Sequence, residues 1–303
     1  MQVKNRDIPM IYAAGAILLL ITAWLYWDDS RPTWKTYQTG FRALIVERLG
    51  AERAKQVPSG IQQVWIAELN RVDRCITCHM GVEWEGMENA PQPYRSHPRE
   101  ILKKHPIGKY GCTMCHGGEG YATSVETAHA TFAEHWEEPL LGSEMGKMHQ
   151  LEQPAALLEI NCNVCHRYDQ QTEGNTYINY GKQMVAEKRC VACHKINGRG
   201  GVIGPDLSFI GDVSAEQLDF THLSGKATAI DWHVAHFKNP KEISPSSVMP
   251  NFNLGLRESQ SLAMLMMSWR RVSLPSSYIL APKAAETTAP TPAPTPAPEQ
   301  PKK

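Results

Sequence analysis

Eight cysteines occur in this 303-residue chain, and all of them fall into four copies of one pattern, C-x-x-C-H. The copies are Cys75–Cys78–His79, Cys112–Cys115–His116, Cys162–Cys165–His166 and Cys190–Cys193–His194. Two thiols separated by two residues can both add to the vinyl groups of one porphyrin. The histidine that follows is then placed under the iron as its proximal ligand. The pattern predicts four covalently bound haem c groups, with His79, His116, His166 and His194 on the irons. Zinc also binds C-x-x-C pairs, but two pairs close one tetrahedral site, and no histidine is required directly after each. Redox C-x-x-C motifs need no trailing histidine and belong to a βαβ context, which the pattern of this chain does not offer. Disulfides suit an oxidising compartment, but four thioether pairs consume every thiol, so none is expected.

Covalent haem also limits what kind of core the chain can build. Aromatic residues make up 8% and charged residues 20%, so part of the interior has to be porphyrin rather than side chain. Residues 75–172 carry three of the motifs in runs rich in Gly, Pro and His, with little periodicity. A segment so rich in loops could not offset its ordering entropy without the haems. Lysine plus arginine balance aspartate plus glutamate at a formal charge of +0. That gives no signal for a nucleic-acid partner, and haem propionates would make the folded surface more acidic.

The N-terminus carries Lys4 and Arg6, followed by an uncharged apolar run from Ile8 to Trp27. Twenty residues match a helix crossing a hydrocarbon core of about 30 Å. Pro9 falls in the first turn, where a missing N–H costs little. Trp24, Tyr26 and Trp27 lie at the far end, where amphipathic rings favour the interface. A cleavable signal would have a shorter apolar stretch and would end in small residues, whereas this run exits through AWLYWDDS. The expectation is a retained single-pass anchor in the cytoplasmic (inner) membrane, with the bulk of the chain on the periplasmic side.

The predicted organisation is residues 1–29 as cytoplasmic N-terminus and anchor, 30–74 as a haem-free lead-in, 75–172 as a trihaem region, 173–278 as a monohaem domain, and 279–303 as a Pro/Ala-rich tail. In the lead-in, Phe41, Leu44, Ile45, Val46 and Leu49 recur near helical spacing. Ile61, Val64, Trp65 and Leu69 fit either a short helix or a strand. Alternating Pro in the tail favours polyproline II and cannot form a core. The predicted fold class is mainly α with long loops: a transmembrane helix, a loop-rich trihaem region and an all-α C-terminal domain.

From 177 to 277 the order is helix, C-x-x-C-H, GPDL, helix DWHVAHFK, the loop SPSSVMPNF and a last helix. This order resembles the small monohaem class of cytochrome c domain. The resemblance implies that the Pro205 carbonyl holds the His194 ring and that Met249 supplies the sixth ligand. It also implies that helices at 181–190 and 258–270 cross beside the haem. Met264, Met266 and Met267 read as core filler.

The run from VDRCITCH through HP…HP, YGCTMCHGGEGYAT, AHA, HWEEPLL and NCNVCH resembles a family of membrane-anchored multihaem cytochromes whose encoded neighbours often include a cytochrome b and a Rieske protein. That resemblance implies electron transfer beside a cytochrome bc-type or related quinol-oxidising membrane complex, with a cytochrome c or an oxidase as acceptor. It also favours His97, His105 and His129 as distal ligands, with His135 in reserve. Met80, Met87, Met145 and Met148 are lesser alternatives, and His233 and His236 are expected to pack around the last haem. A second family, the tetrahaem quinol dehydrogenases, shares the anchor and the haem number but lacks the closing monohaem domain. A multihaem reductase would need an iron with an open position. The surplus of ligand residues favours closed irons and an electron carrier over an enzyme.

Overall fold

The computed structural model describes residues 8–129, 143–225 and 227–279. Within them the chain is mainly α with long loops, as the sequence predicts, and the strands form two small antiparallel hairpins. The first helix, Ile8–Asp29, has 22 residues, none of them buried, and at 1.5 Å per residue it spans about 33 Å. It is long and apolar enough to cross a membrane. Beyond it the Arg31 guanidinium lies 4.0 Å from the Trp27 ring centre. Lys4, Arg6, His135 and the Pro-rich tail lie outside the described residues.

The chain divides into two compact units. One comprises Met1–Cys162 with Ser224–Asp231, and the other Asn163–Leu223 with Trp232–Lys303. In the first, the lead-in helix Trp34–Leu49 buries Phe41 and Ile45. The helical pattern breaks at Gly50, whose φ of 89° suits a residue without Cβ, and a short helix, Ala51–Ala54, follows. Phe41, Ile45, Ala54 and Val57 pack with Met80, Met87 and Ala90. Trp84 stands edge-on to Phe41 at 5.4 Å. Met80 and Met87 are therefore part of a side-chain core.

The ambiguous stretch after Gly60 forms a hairpin, Val64–Ile66 against Arg71–Asp73, with Trp65 opposite Val72. Its turn holds a 3-10 segment, Ala67–Leu69, and closes at Asn70 with φ 47°. Both expected readings thus occur there, each only three residues long.

In the second unit the helices Tyr177–Glu187 and Leu256–Ser268 pack together, and each lies a few residues earlier than the sequence predicts. A Cβ on Gly181 would come within 2.6 Å of the Ser261 carbonyl oxygen, so the glycine sets how closely the helices approach. Residues 259–268 of the last helix are all buried, including Met264, Met266 and Met267. Tyr180, Phe237, Phe252 and Leu254 pack around Met184 and Leu262. Among its described residues the regular elements are helical apart from the two-residue strands Lys195–Ile196 and Arg199–Gly200.

Candidate haem centres

The lead-in holds the first motif in place. Gln38, buried on the helix Trp34–Leu49, donates from Nε2 to the carbonyls of Gly60 (2.6 Å) and Thr77 (3.2 Å). Its Oε1 accepts from Gly60 N–H at 3.0 Å. Thr77, between the two motif cysteines and 1% exposed, donates from Oγ1 to Gln62 O (2.9 Å) and accepts from Gln62 N (3.0 Å). Buried polar groups are costly unless paired, so this network fixes the Cys75–Cys78 turn.

Asp73 ties the first motif to the second. Its carboxylate is 1% exposed and accepts from the N–H groups of Cys112 and Thr113 (2.5 and 3.0 Å) and from Thr113 Oγ1 (2.7 Å). Gly111 and Gly120 approach this carboxylate so closely that a Cβ on either would lie 2.2–2.3 Å from it. The Cys75 and Cys112 thiols are in hydrogen-bond contact, which lowers the Cys75 pKa and raises that of Cys112. Burial raises Cys78, Cys115 and Cys190.

Two motif histidines face histidines from elsewhere in the chain. The His79 and His129 ring centres are 6.2 Å apart, with planes at 57°. The His116 and His97 ring centres are also 6.2 Å apart, with planes at 85°. His97 Nδ1 lies 3.2 Å from Pro98 O, and a proton there leaves the Nε2 lone pair for a metal. Burial, then His129 and His116, hold the His79 pKa down to about 4, so the ring is neutral at ordinary pH, the form that coordinates metal. His105 is placed differently. It caps the helix Arg99–Lys104, with Nδ1 3.3 Å from Ile101 O and its ring 5.2 Å from Tyr110. Among the described residues, no group of three or more His, Cys, Asp or Glu is gathered as a bare metal site.

Cys162 and Cys165 of the third motif lie on the helix Glu159–Cys165. His166 Nδ1 is 2.7 Å from Asp169 Oδ2, a carboxylate–histidine pair of the kind that fixes ring orientation and raises ligand basicity. Lys182 Nζ donates to the carbonyls of His166 (2.8 Å) and Asp169 (2.7 Å), and burial draws its pKa down to about 8. Arg167 donates to the Ser208 carbonyl and lies over the rings of Phe209 and Trp269.

In the fourth motif, Cys190 and Cys193 bracket a 3-10 turn that places His194. Its Nδ1 is 2.9 Å from Pro205 O. The ring lies so close over Gly204 that a Cβ there would come within 2.4 Å of His194 Cε1. Gly200 and Gly201 likewise pass against the backbone of His194 and Ala192. Half-buried Met249 lines a cavity of about 260 Å³ together with Pro240, Val248 and Pro250. On the helix Ala229–Lys238, His236 stacks on Trp232 at 4.9 Å. His233 is buried beside Phe237.

Sequence reasoning missed the groups that orient these side chains: Gln38, Asp73, Asp169 and Lys182. Gly204 opens the GPDL motif and so had a local signal.

A cytochrome c family model matches residues 178–268. This stretch contains the fourth C-x-x-C-H, Pro205 and Met249, so the C-terminal segment is a cytochrome c domain, a module for covalent haem and one-electron transfer. No curated protein and no solved structure matches the chain.

Proposed function

We propose that the chain is a membrane-anchored tetrahaem c-type cytochrome. It takes electrons from a cytochrome bc-type or related quinol-oxidising membrane complex and passes them to a cytochrome c or an oxidase. The observation that carries the reading is the pair of opposed histidines. Two iron–imidazole bonds of about 2 Å each, extended to the ring centres, span roughly 6 Å. Both pairs measure 6.2 Å. Aromatic side chains also pair at this range. Here, though, each pair unites the histidine that follows a C-x-x-C with a second histidine far away in sequence.

Haem supplies a one-electron couple that needs no bound substrate when both axial positions are filled. The residues of this chain do the rest. The eight cysteines fix the porphyrins covalently. His79 with His129, and His116 with His97, close two irons against water and ligands. Asp73, bonded to the backbone of Cys112 and Thr113, holds the first two motifs together, which favours rapid exchange between them. Pro205 orients His194, and Met249 is the sixth ligand there. A thioether stabilises ferric iron less than an imidazole does, so this site has the highest potential and is the exit toward the acceptor. The helix Ile8–Asp29 anchors the chain, with the haem-bearing part on the periplasmic face.

The reading is tested by spectroscopy of the oxidised and reduced protein. Electron transfer through closed irons predicts an all-low-spin ferric spectrum and no carbon monoxide binding after reduction. A wild-type protein with a stoichiometric high-spin haem would point to a reductase instead.

A further inference from the structure

On the helix Ala229–Lys238, one histidine has a nitrogen that the described residues leave unanswered. His236 is half-buried, but its Nδ1 is shut off from solvent and has no hydrogen-bond partner among the described residues. A buried polar atom without a partner is costly and calls for one. The ring is not free to swing away. It stacks on Trp232, with centres 4.9 Å apart and planes at 8°, and Trp232 is itself tied by Nε1 donation to Asp219 O at 2.9 Å.

Two observations say what the nitrogen faces. The first is His194. Burial is the main cause that lowers the His236 pKa, and the charge of His194 is the other, so the ring stands within electrostatic reach of the histidine that follows Cys190 and Cys193. The second is the helix itself. Asn239 N–H donates to Ala235 O at 2.9 Å, which carries the helical turn as far as Asn239. His236 is three residues before Asn239 and so lies on the same face, and Asn239 lines the cavity that Met249 also lines. His194, His236 and Met249 all belong to the second compact unit. His236 thus stands in reach of the motif histidine and one turn from the cavity of the methionine.

We infer that His236 donates from Nδ1 to the iron-bound sulfur of Met249 and so tunes the potential of the haem in the cytochrome c domain. The inference rests on the proposed Met249 ligation and deepens it. A thioether sulfur is a weak acceptor. An N–H aimed at it draws electron density away from ferric iron, which raises the potential. Hydrogen bonding around an axial ligand is one of the means by which a protein sets that potential.

The test uses the full-length protein in detergent, with the near-infrared band of methionine-to-iron ligation recorded first. A wild type without the band sinks the Met249 reading, and this inference with it. With the band present, His236→Phe keeps a flat ring against Trp232 and removes the donor. It should lower the midpoint potential of one haem, leave the others in place and move the band. His236→Asn puts an amide N–H at the position of Nδ1 and should restore both. A phenylalanine variant with wild-type potentials and an unmoved band overturns the inference. So does one whose potential falls while the band stays, which would set the nitrogen on a haem propionate instead. An asparagine variant that behaves like the phenylalanine one also overturns it, because packing alone would then explain the shift. Should the phenylalanine variant not accumulate, His236→Leu removes the same donor and carries the same expectations.

Discussion

Met249 and His194 sit in one domain of ordinary protein chemistry, and that makes single substitutions there informative. On the proposed ligation, Met249→His exchanges a weak donor to ferric iron for a strong one. Potentiometry should show one midpoint falling while the others stay in place, and the near-infrared band of methionine ligation should vanish. A mutant that titrates like the wild type removes Met249 from the iron. His233 offers a pH test on a buried histidine outside the four motifs. Burial, then neighbouring His236, hold its pKa down to about 4, below the 6.5 of an ordinary histidine. Between those values the unfolded chain binds more protons, so the stability this group permits is complete above 6.5 and drains as pH falls toward 4. His233→Leu should flatten that part of the stability-versus-pH curve in urea titrations; an unaltered slope would assign the acid sensitivity elsewhere. At this scale the four C-x-x-C-H motifs stand out in the sequence because thioether chemistry fixes their spacing. Asp73 was not legible: an aspartate is an ordinary residue, and its partner Thr113 lies 40 positions away.

Elements announce themselves when they are long enough to repeat. The apolar run from Ile8, the lead-in helix and the last helix were all visible as length or period. The hairpin at 64–73 was not, because three-residue strands are shorter than any repeat that could identify them. Gly181 was also silent, since its meaning depends on a helix 80 residues away. Gly181→Ala should push a methyl group against the Ser261 carbonyl and cost about 1–3 kcal/mol, as overpacking does. Chemical denaturation followed at the haem of the cytochrome c domain should show an earlier midpoint; an unshifted midpoint would mean the two helices can part freely. The N-terminal helix is tested by exchange. Replacing residues 1–29 with a cleavable export signal should release haem-loaded protein into the soluble fraction. Retention in washed membranes would show that something other than this helix holds the chain there.

For the whole molecule, the cytochrome c match accounts for residues 178–268 and one of the four motifs. The account extends haem to three further motifs in a loop-rich segment. There the side-chain core of Phe41, Ile45, Met80 and Met87 supports the first motif, and Asp73 links it to the second. Segments of this kind carry little periodic signal, because porphyrin rather than a helix face would fill the interior, and so their architecture was the part least visible in the sequence. The proposed division of labour is opposed histidines in one unit, a methionine-ligated centre in the other, and electrons leaving through the second. The central claim is the number of haems, and intact mass of the denatured protein, combined with thiol titration, tests it most directly. The account predicts a mass above the polypeptide by four haems and no titratable thiol. A gain of one haem with six reactive thiols would contradict it and leave the chain a monohaem cytochrome with an unexplained N-terminal half.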